Sequence, residues 1–176
     1  MNSLMTVVRV PTTEELEPIL ALMNDPASIH RQVACRHGER LETADELYQR
    51  LAEDGNLVLE EEGRVVAYAS WQSYGAHAHL NVMVVAGDRQ RRGLGARLFS
   101  AFLWEAKQEG AESVSLRAYA DSTWAIAFYA GLGMRHYAPG DEEALGQGGL
   151  AYYIRLAIEN GQWPADDKVM FVGEIE

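Results

Sequence analysis

The sequence is poor in cysteine and in positive charge. Cys35 is the only cysteine, which excludes an intramolecular disulfide and a metal site built from cysteines. Lysine and arginine together number 15 against 26 aspartate and glutamate residues, for a formal net charge of -11. Non-specific binding to nucleic acid or to anionic membranes needs a broad basic surface. We therefore expect no nucleic-acid partner and no membrane partner.

Long hydrophobic runs are also lacking. The first residues, MNSLMTVVRV, contain no basic segment followed by an apolar one, and no apolar run approaches the ~18 residues of a membrane span. This predicts a cytoplasmic protein. The length of 176 residues and the hydrophobic content of 48% fit one globular domain of ordinary size. We expect a single domain over residues 1–160, with 161–176 as a C-terminal extension of that domain.

Apolar spacing predicts a mixed order of strands and helices. The segment 25–41 is irregular and is predicted as a loop or a short helix, and 168–172 as either an added strand or part of a loosely docked extension. Trp104 and Trp124 are assigned to the core, and the last two predicted strands are expected to pair. Strands are predicted at 5–10, at 56–72 in two parts around a Glu-Glu-Gly turn, and at 79–85, 112–120, 134–138 and 150–158. Helices are predicted at 12–25, 42–55, 93–110 and 121–133.

One strand-to-helix junction, DRQRRGLGARLF at residues 88–99, concentrates positive charge and glycine. The first N–H groups of a helix point outward without partners, and glycine lets a ligand approach the backbone. The junction is therefore typical of an anion site with a phosphate-bearing ligand. The alternative is a solvated loop in which Gly93 is a turn residue. Four of the 15 basic residues fall within nine positions here: Arg89, Arg91, Arg92 and Arg97.

Two common phosphate loops do not fit this junction. A Walker loop needs Lys-Ser or Lys-Thr after its second glycine, whereas Gly95 is followed by Ala96 and Arg97. A dinucleotide fingerprint needs a small residue where Leu98 stands and a carboxylate at the end of the next strand, a condition that Asp121 meets only loosely. The Walker loop is therefore excluded, and the dinucleotide fingerprint is only weakly supported.

A different pattern does fit. Residues 90–95, Gln-Arg-Arg-Gly-Leu-Gly, match Gln/Arg-x-x-Gly-x-Gly/Ala, and about thirty residues on STWAIAFYAGLGM is similar to Asn-x-x-Ala-x-x-(Leu/Phe)-Tyr-x-x-x-Gly-Phe. With both motifs, the sequence resembles the GNAT superfamily of acyl-CoA-dependent N-acyltransferases. The resemblance implies a GNAT-like α/β (α+β) fold with a central mixed, mostly antiparallel sheet of about six to seven strands flanked by about four helices.

The resemblance also implies a set of site residues. Backbone groups after residue 82 would hold the pantetheine arm and polarise the thioester carbonyl, and the loop amides would cradle the pyrophosphate. Tyr129 would protonate the departing thiolate. Ser122 replaces the usual asparagine and reaches less far toward the cofactor. The residues expected to bind acetyl-CoA are Met83, Val84, Val85, Gln90, Arg91, Arg92, Gly93, Leu94, Gly95, Ala96 and Ser122.

A general base is also needed to remove a proton from the acceptor amine. Relatives often use a carboxylate on the strand before the loop, where this chain has Asn81. Strand alternation places His79 on the same face, so His79 is predicted as the base, directly or through a water, with a near-neutral pKa. The competing interpretation makes His77 and His79 ordinary half-exposed strand residues. Cys35 is less favoured as an acyl-carrying nucleophile. His30, Cys35 and His37 match no common ligand spacing, so no metal is predicted.

The function that follows is transfer of an acetyl group from acetyl-CoA, as co-substrate, to an amine by direct attack in a ternary complex. The alternatives are an inactive acyl-CoA-binding sensor or interaction module, and a nucleic-acid-binding protein that uses Arg-Gln-Arg-Arg. The acceptor is expected to be a small-molecule or peptide amine, and a homodimer is compatible with the resemblance. Segments 25–41 and 140–149 are expected to border the acceptor. Asp141, Glu142 and Glu143 would favour a cationic amine, unless they only keep a surface loop soluble.

Overall fold

A computed structural model describes residues 5–138 and 148–176. Its six α-helices in these ranges are α1 (Leu16–Met23), α2 (Ile29–Arg36), α3 (Ala44–Glu53), α4 (Leu94–Gln108), α5 (Thr123–Gly131) and α6 (Gly149–Glu159), with short 3₁₀ turns at Thr13–Glu15 and Gly87–Arg89. The seven strands are β1 (Thr6–Arg9), β2 (Gly55–Glu61), β3 (Arg64–Ser73), β4 (His77–Val85), β5 (Ser113–Tyr119), β6 (Arg135–Tyr137) and β7 (Lys168–Glu174).

The strands follow the order β1-β2-β3-β4-β5-β7-β6 in one sheet. The pairs β1–β2, β2–β3, β5–β7 and β6–β7 are antiparallel, and β4–β5 is parallel. This confirms the predicted mixed, mostly antiparallel sheet. The helices exceed the predicted four because the irregular segment 25–41 contains α2 and because α6 forms where a strand was predicted.

The chain groups into two compact units. The first unit comprises residues up to Trp71 together with Val82–Phe102, and the second comprises Gln72–Asn81 together with Leu103–Glu176. In the first unit the stripe of Leu94, Leu98 and Phe102 on α4 is buried, as its helical spacing predicts. The second unit has a buried cluster formed by Tyr137, Tyr153, Ile154, Ala157, Trp163, Met170 and Val172.

Helix starts and turns agree with the sequence. Thr12 with Glu15 and Thr43 with Glu46 each form a capping box, in which the two side chains satisfy each other's free backbone N–H groups. The turn between β2 and β3 has two residues with positive φ, Glu62 and Gly63, as a tight hairpin requires. These local signals are therefore sufficient to set the element boundaries here.

The predicted strand at 150–158 is wrong, since this segment forms α6. Its adjacent tyrosines and Ile154 favour a strand locally, but its buried side chains, Ala151, Tyr153, Ile154 and Ala157, recur at helical spacing. β6 consequently pairs with β7 and not with residues 150–158. Residues 168–172 were predicted as either an added strand or part of a loosely docked extension, and the structure shows a strand there, within β7.

The assignment of two tryptophans to the core is also wrong. Trp104 is 60% exposed because it stands two residues after Phe102, roughly 200° around α4 from the buried stripe. Trp124 is 44% exposed and stacks on Phe128, one turn along α5, with ring centroids 5.2 Å apart. None of the helices in residues 5–138 and 148–176 is long and apolar enough to cross a membrane.

Candidate functional site

The loop between β4 and α4, in the first unit, has the geometry of an anion site. Arg91 and Gly93 both take positive φ, 60° and 78°, and so turn the chain sharply into α4. The first hydrogen bond of that helix runs from the Arg97 amide to the Gly93 carbonyl, at 3.1 Å. The amides of the residues between them are at the N-terminal end of a 15-residue helix, where the helix dipole favours negative charge.

The arginines of this loop are largely engaged by protein groups. Arg89 and Arg92 both donate to one oxygen of Glu61, at 3.2 and 3.4 Å, and Arg89 also pairs with Asp88. Arg97 donates to the Thr6 carbonyl at 2.7 Å. Much of the positive charge is thus matched by nearby oxygens, and the backbone amides at the start of α4 become the main feature of the site that would attract an anion.

Glu61 is a residue that sequence reasoning missed. Its side chain is only 7% exposed although it is charged, and it accepts hydrogen bonds from two of the loop arginines. A buried carboxylate is stable in this place only because it is paired. Its position at the end of a strand, in a Glu-Glu-Glu run, gave no signal that distinguished it from its neighbours.

The backbone predicted to hold the pantetheine arm, residues 83–85, follows the part of β4 that pairs with β5. The ladder between β4 and β5 covers His77–Leu80. Met83, Val84 and Val85 follow that segment, with Val84 buried and the other two half-buried. Gln90 is close to them, because its side-chain amide donates to the Val85 carbonyl at 3.3 Å.

Tyr129 and Ser122 lie on and before α5, in the second unit. Tyr129 is 9% exposed and packs against Phe128 and Phe171, with ring centroids 5.1 and 6.1 Å away. Burial raises the pKa of Tyr129, which keeps the phenol protonated as an acid requires. Ser122 is buried and stands at the N-cap position, but its side chain makes no capping hydrogen bond.

His79 is buried within the second unit. Its surroundings contradict both sequence-based interpretations, a base with a near-neutral pKa and a half-exposed strand residue. Its side chain is 3% exposed, its ring stacks on Tyr153 at 4.5 Å, and its Nδ1 lies 2.7 Å from the Ser115 hydroxyl. His77 is fully buried beside it. Burial lowers the pKa of His79 well below its usual value, so the expected near-neutral pKa is wrong. The interpretation of two half-exposed histidines is wrong as well.

The predicted residues fall into three groups. Residues 83–96 lie in the first unit, whereas Tyr129 and His79 lie in the second and pack on different aromatic rings. Asp141, Glu142 and Glu143 lie outside the described residues. Cys35 is exposed on α2. Across the part of the chain that the structure covers, no three His, Cys, Asp or Glu side chains are grouped as a metal site.

Comparison with known proteins identifies the relatives. The model of the Acetyltransferase (GNAT) family matches residues 19–134, which is 116 of the 176 residues. The Escherichia coli ribosomal-protein-S18-alanine N-acetyltransferase is 18% identical, with a TM-score of 0.70, covering 98% of this chain and 95% of that one. The PaiA N-acetyltransferase of Thermoplasma acidophilum, solved with coenzyme A, is 10% identical, with a TM-score of 0.73 and coverages of 97% and 99%.

A third similar structure is the ribosomal-protein-alanine N-acetyltransferase of Brucella melitensis, at 20% identity and a TM-score of 0.67, covering 96% of this chain and 99% of that one. At these identities the likeness shows the fold. None of the curated proteins matches this sequence.

Proposed function

Because the chain belongs to the GNAT acetyltransferase family, we propose that it is an N-acetyltransferase that uses acetyl-CoA as co-substrate. The observation that carries this proposal is the loop of residues 90–96, which combines the family motif with a left-handed turn into the N-terminus of α4. Acetyl-CoA supplies an activated acetyl group and a thiolate leaving group. The similar structures named above are N-acetyltransferases, and one of them was solved in complex with coenzyme A.

Each residue then has a proposed role. The amides of Gly93, Leu94, Gly95 and Ala96 would bind the pyrophosphate, with Gln90, Arg91 and Arg92 at the edge of the loop. Backbone groups of Met83, Val84 and Val85 would hold the pantetheine arm and polarise the thioester carbonyl. Ser122 would contact the cofactor over a shorter reach than asparagine.

The chemistry needs one acid and one base. We assign the acid to Tyr129, whose buried phenol is protonated at neutral pH and so has a proton to donate to the departing thiolate. The base is assigned to His79, which must remove a proton from an ammonium group before the nitrogen attacks. The acceptor is proposed to be a small-molecule or peptide amine, cationic in line with the net charge of -11. Cytoplasmic location and a homodimer stay predictions.

Two measurements on the purified protein test this function. Acetyl-CoA should raise the melting temperature, since a ligand that binds only the native state adds about 2.7 kcal/mol at a hundredfold excess over Kd. Release of free thiol should then be followed with acetyl-CoA and a panel of cationic, neutral and anionic amines. Stabilisation together with turnover of at least one amine is expected.

The outcomes separate the alternatives. Stabilisation by acetyl-CoA without turnover of any amine would favour an acyl-CoA sensor. An unchanged melting temperature at about 1 mM acetyl-CoA would contradict both the enzyme and the sensor, because any ligand that binds the native state stabilises it. Retention of DNA or RNA on a filter at low salt would instead favour nucleic-acid binding, against which the pairing of Arg89 and Arg92 with Glu61 argues.

A further inference from the structure

Two buried histidines and two serines form a continuous line of side-chain contacts in the second unit. Parallel pairing of β4 with β5 sets His77 opposite Ser113 and His79 opposite Ser115. His77 Nδ1 lies 2.9 Å from Ser113 Oγ, and His77 Nε2 lies 2.7 Å from Ser115 Oγ. Ser115 Oγ in turn lies 2.7 Å from His79 Nδ1. The order of the line is therefore Ser113, His77, Ser115, His79.

The single proton of Ser115 restricts how this line can be protonated. Ser115 is fully buried, and its hydroxyl has one proton to donate between two imidazole nitrogens. One of those nitrogens must accept from Ser115, so the other must carry a proton and donate to it. The hydrogen bonds consequently run in one direction along the line if every contact is to be satisfied.

The far nitrogen of His79 is placed to exchange a proton. Nε2 of His79 has no hydrogen-bond partner among residues 5–138 and 148–176. At the other end of the line, Ser113 is half-buried and not fully enclosed. A proton that passes along this line would therefore enter or leave at His79 Nε2 and at Ser113 Oγ.

The surroundings favour neutral rings. The aromatic face of Tyr153 on α6 stacks on both imidazoles, at 5.0 Å from His77 and 4.5 Å from His79. Tyr74 packs on the same tyrosine. Arg117 on β5 is the cation that acts on His79 and opposes a second positive charge. Burial lowers the pKa of His77 to about 4, so an isolated imidazolium is costly here.

We propose that Ser113, His77, Ser115 and His79 form a proton relay that lets His79 act as a base without becoming charged. His79 Nε2 takes a proton from the acceptor ammonium, and His79 Nδ1 passes its proton to Ser115 Oγ. Ser115 Oγ passes its proton to His77 Nε2, and His77 Nδ1 passes its proton to Ser113 Oγ. Ser113 releases one proton to water, so one proton enters the relay and one leaves it.

The relay rests on the proposed function, because the proton that enters comes from the amine to be acetylated. It resets when His79 Nε2 releases its proton to water after product release and Ser113 takes one up. Ser115 and His77 are positioning and transferring residues in this scheme, whereas His79 alone touches the acceptor.

The resting protonation is tested first, on the wild-type protein. Nitrogen-15 NMR of histidine-labelled protein should show both rings neutral at about pH 6, each with its proton on Nδ1, since this arrangement leaves His79 Nε2 bare. This tautomer is distinguishable from the Nε2-protonated one. An imidazolium, a proton on Nε2 of both rings, or opposite tautomers in the two rings would each overturn the relay.

The transfer itself is tested with two variants. Ser115→Ala breaks the line at its centre, and His77→Gln keeps a hydrogen-bonding group beside Ser115 but cannot pass a proton through. With acetyl-CoA and the panel amine that the wild type turns over fastest, both variants should lose about 10²-fold in kcat at about pH 7. The loss should shrink about tenfold per pH unit as the amine loses its proton unaided, while the wild-type kcat stays flat.

The control is Ser70→Ala, which removes another fully buried strand serine, in the first unit. It should keep the wild-type kcat and pH profile. A merely structural role for Ser115 would lower kcat equally at every pH. Wild-type turnover of an amine with unchanged kcat in both variants would overturn the relay alone, whereas a wild type that acetylates no amine would overturn the relay together with the proposed function.

Discussion

Asp25 and Gly87 stand 62 positions apart, and the Gly87 amide donates a 2.9 Å hydrogen bond to the Asp25 carboxylate. The other carboxylate oxygen accepts from the Ala27 amide, also at 2.9 Å. The segment before α2 is thereby fixed to the turn that precedes the 90–96 loop, within the first unit. Gly87 permits this approach, because a Cβ at that position would lie 2.6 Å from backbone atoms of Ala27.

Replacing Gly87 by alanine should therefore destabilise the protein. The added carbon meets backbone that cannot move away cheaply, so we expect a loss of about 1–3 kcal/mol in the free energy of unfolding. Urea denaturation measures it. The matched control is Gly131→Ala near the end of α5, where nothing lies within 4 Å of the new carbon. That variant should be unchanged or slightly more stable, and equal stabilities of the two variants would contradict the close contact.

Gly95→Glu should abolish the stabilisation of the protein by acetyl-CoA while leaving the fold intact. The new side chain brings bulk and negative charge to the first turn of α4, where the pyrophosphate is expected. Scanning fluorimetry with and without acetyl-CoA measures the effect. Ser100→Glu adds the same charge at an exposed position further along α4 and should retain the shift. A retained shift in Gly95→Glu would move the cofactor site elsewhere.

Tyr129→Phe should lower kcat on the order of 10²-fold and leave the affinity for acetyl-CoA close to that of the wild type. The change keeps the ring that packs on Phe128 and Phe171 and removes only the hydroxyl. Steady-state kinetics and an acetyl-CoA titration measure the two quantities. Tyr152→Phe removes the hydroxyl of a half-exposed tyrosine on α6 and serves as the control. An unchanged kcat in Tyr129→Phe would exclude this residue from the mechanism.

Acid should weaken the fold between about pH 6.5 and pH 4. Burial lowers the pKa of His77 to about 4, whereas an unfolded histidine titrates near 6.5. In this window the unfolded chain binds a proton that the folded chain does not, so the free energy of unfolding falls as the pH falls, by at most about 1.4 kcal/mol per pH unit for this residue. Urea denaturation at about pH 7 and about pH 5 measures the slope, and a slope that His77→Gln does not reduce would contradict the assignment.

Much of the fold could be read from local sequence signals. The buried stripe of α4 repeats at helical spacing, and Gly110, with φ of 93°, ends that helix as predicted. The capping box at Thr43 fixed the start of α3. The 90–96 loop could be proposed as a cofactor site from the sequence, because the chemistry of such a loop depends on backbone groups and glycine, which form a recognisable motif in a short stretch of sequence.

The surroundings of the histidines could not be read in this way. Strand alternation places His77 and His79 on one face, but whether that face is buried depends on α6, whose Tyr153 covers both rings. α6 was itself mistaken for a strand, because its aromatic residues favour strands locally and its helical burial pattern depends on packing. The parallel register that sets Ser115 beside His79 joins segments 36 residues apart, and no local signal specifies it.

The place of β7 in the sheet has a consequence for synthesis on the ribosome. β7 pairs with β5 along the whole length of both strands, from the pair Ser113 and Glu174 to the pair Tyr119 and Lys168, yet β7 begins 49 positions after β5 ends. At a translation rate of roughly 5–20 residues per second, β5 is synthesised about 2–10 s before its partner strand β7. During that interval one edge of β5, carrying Val114 and Leu116, has unsatisfied backbone groups, and chaperones that bind extended apolar segments would meet the chain there.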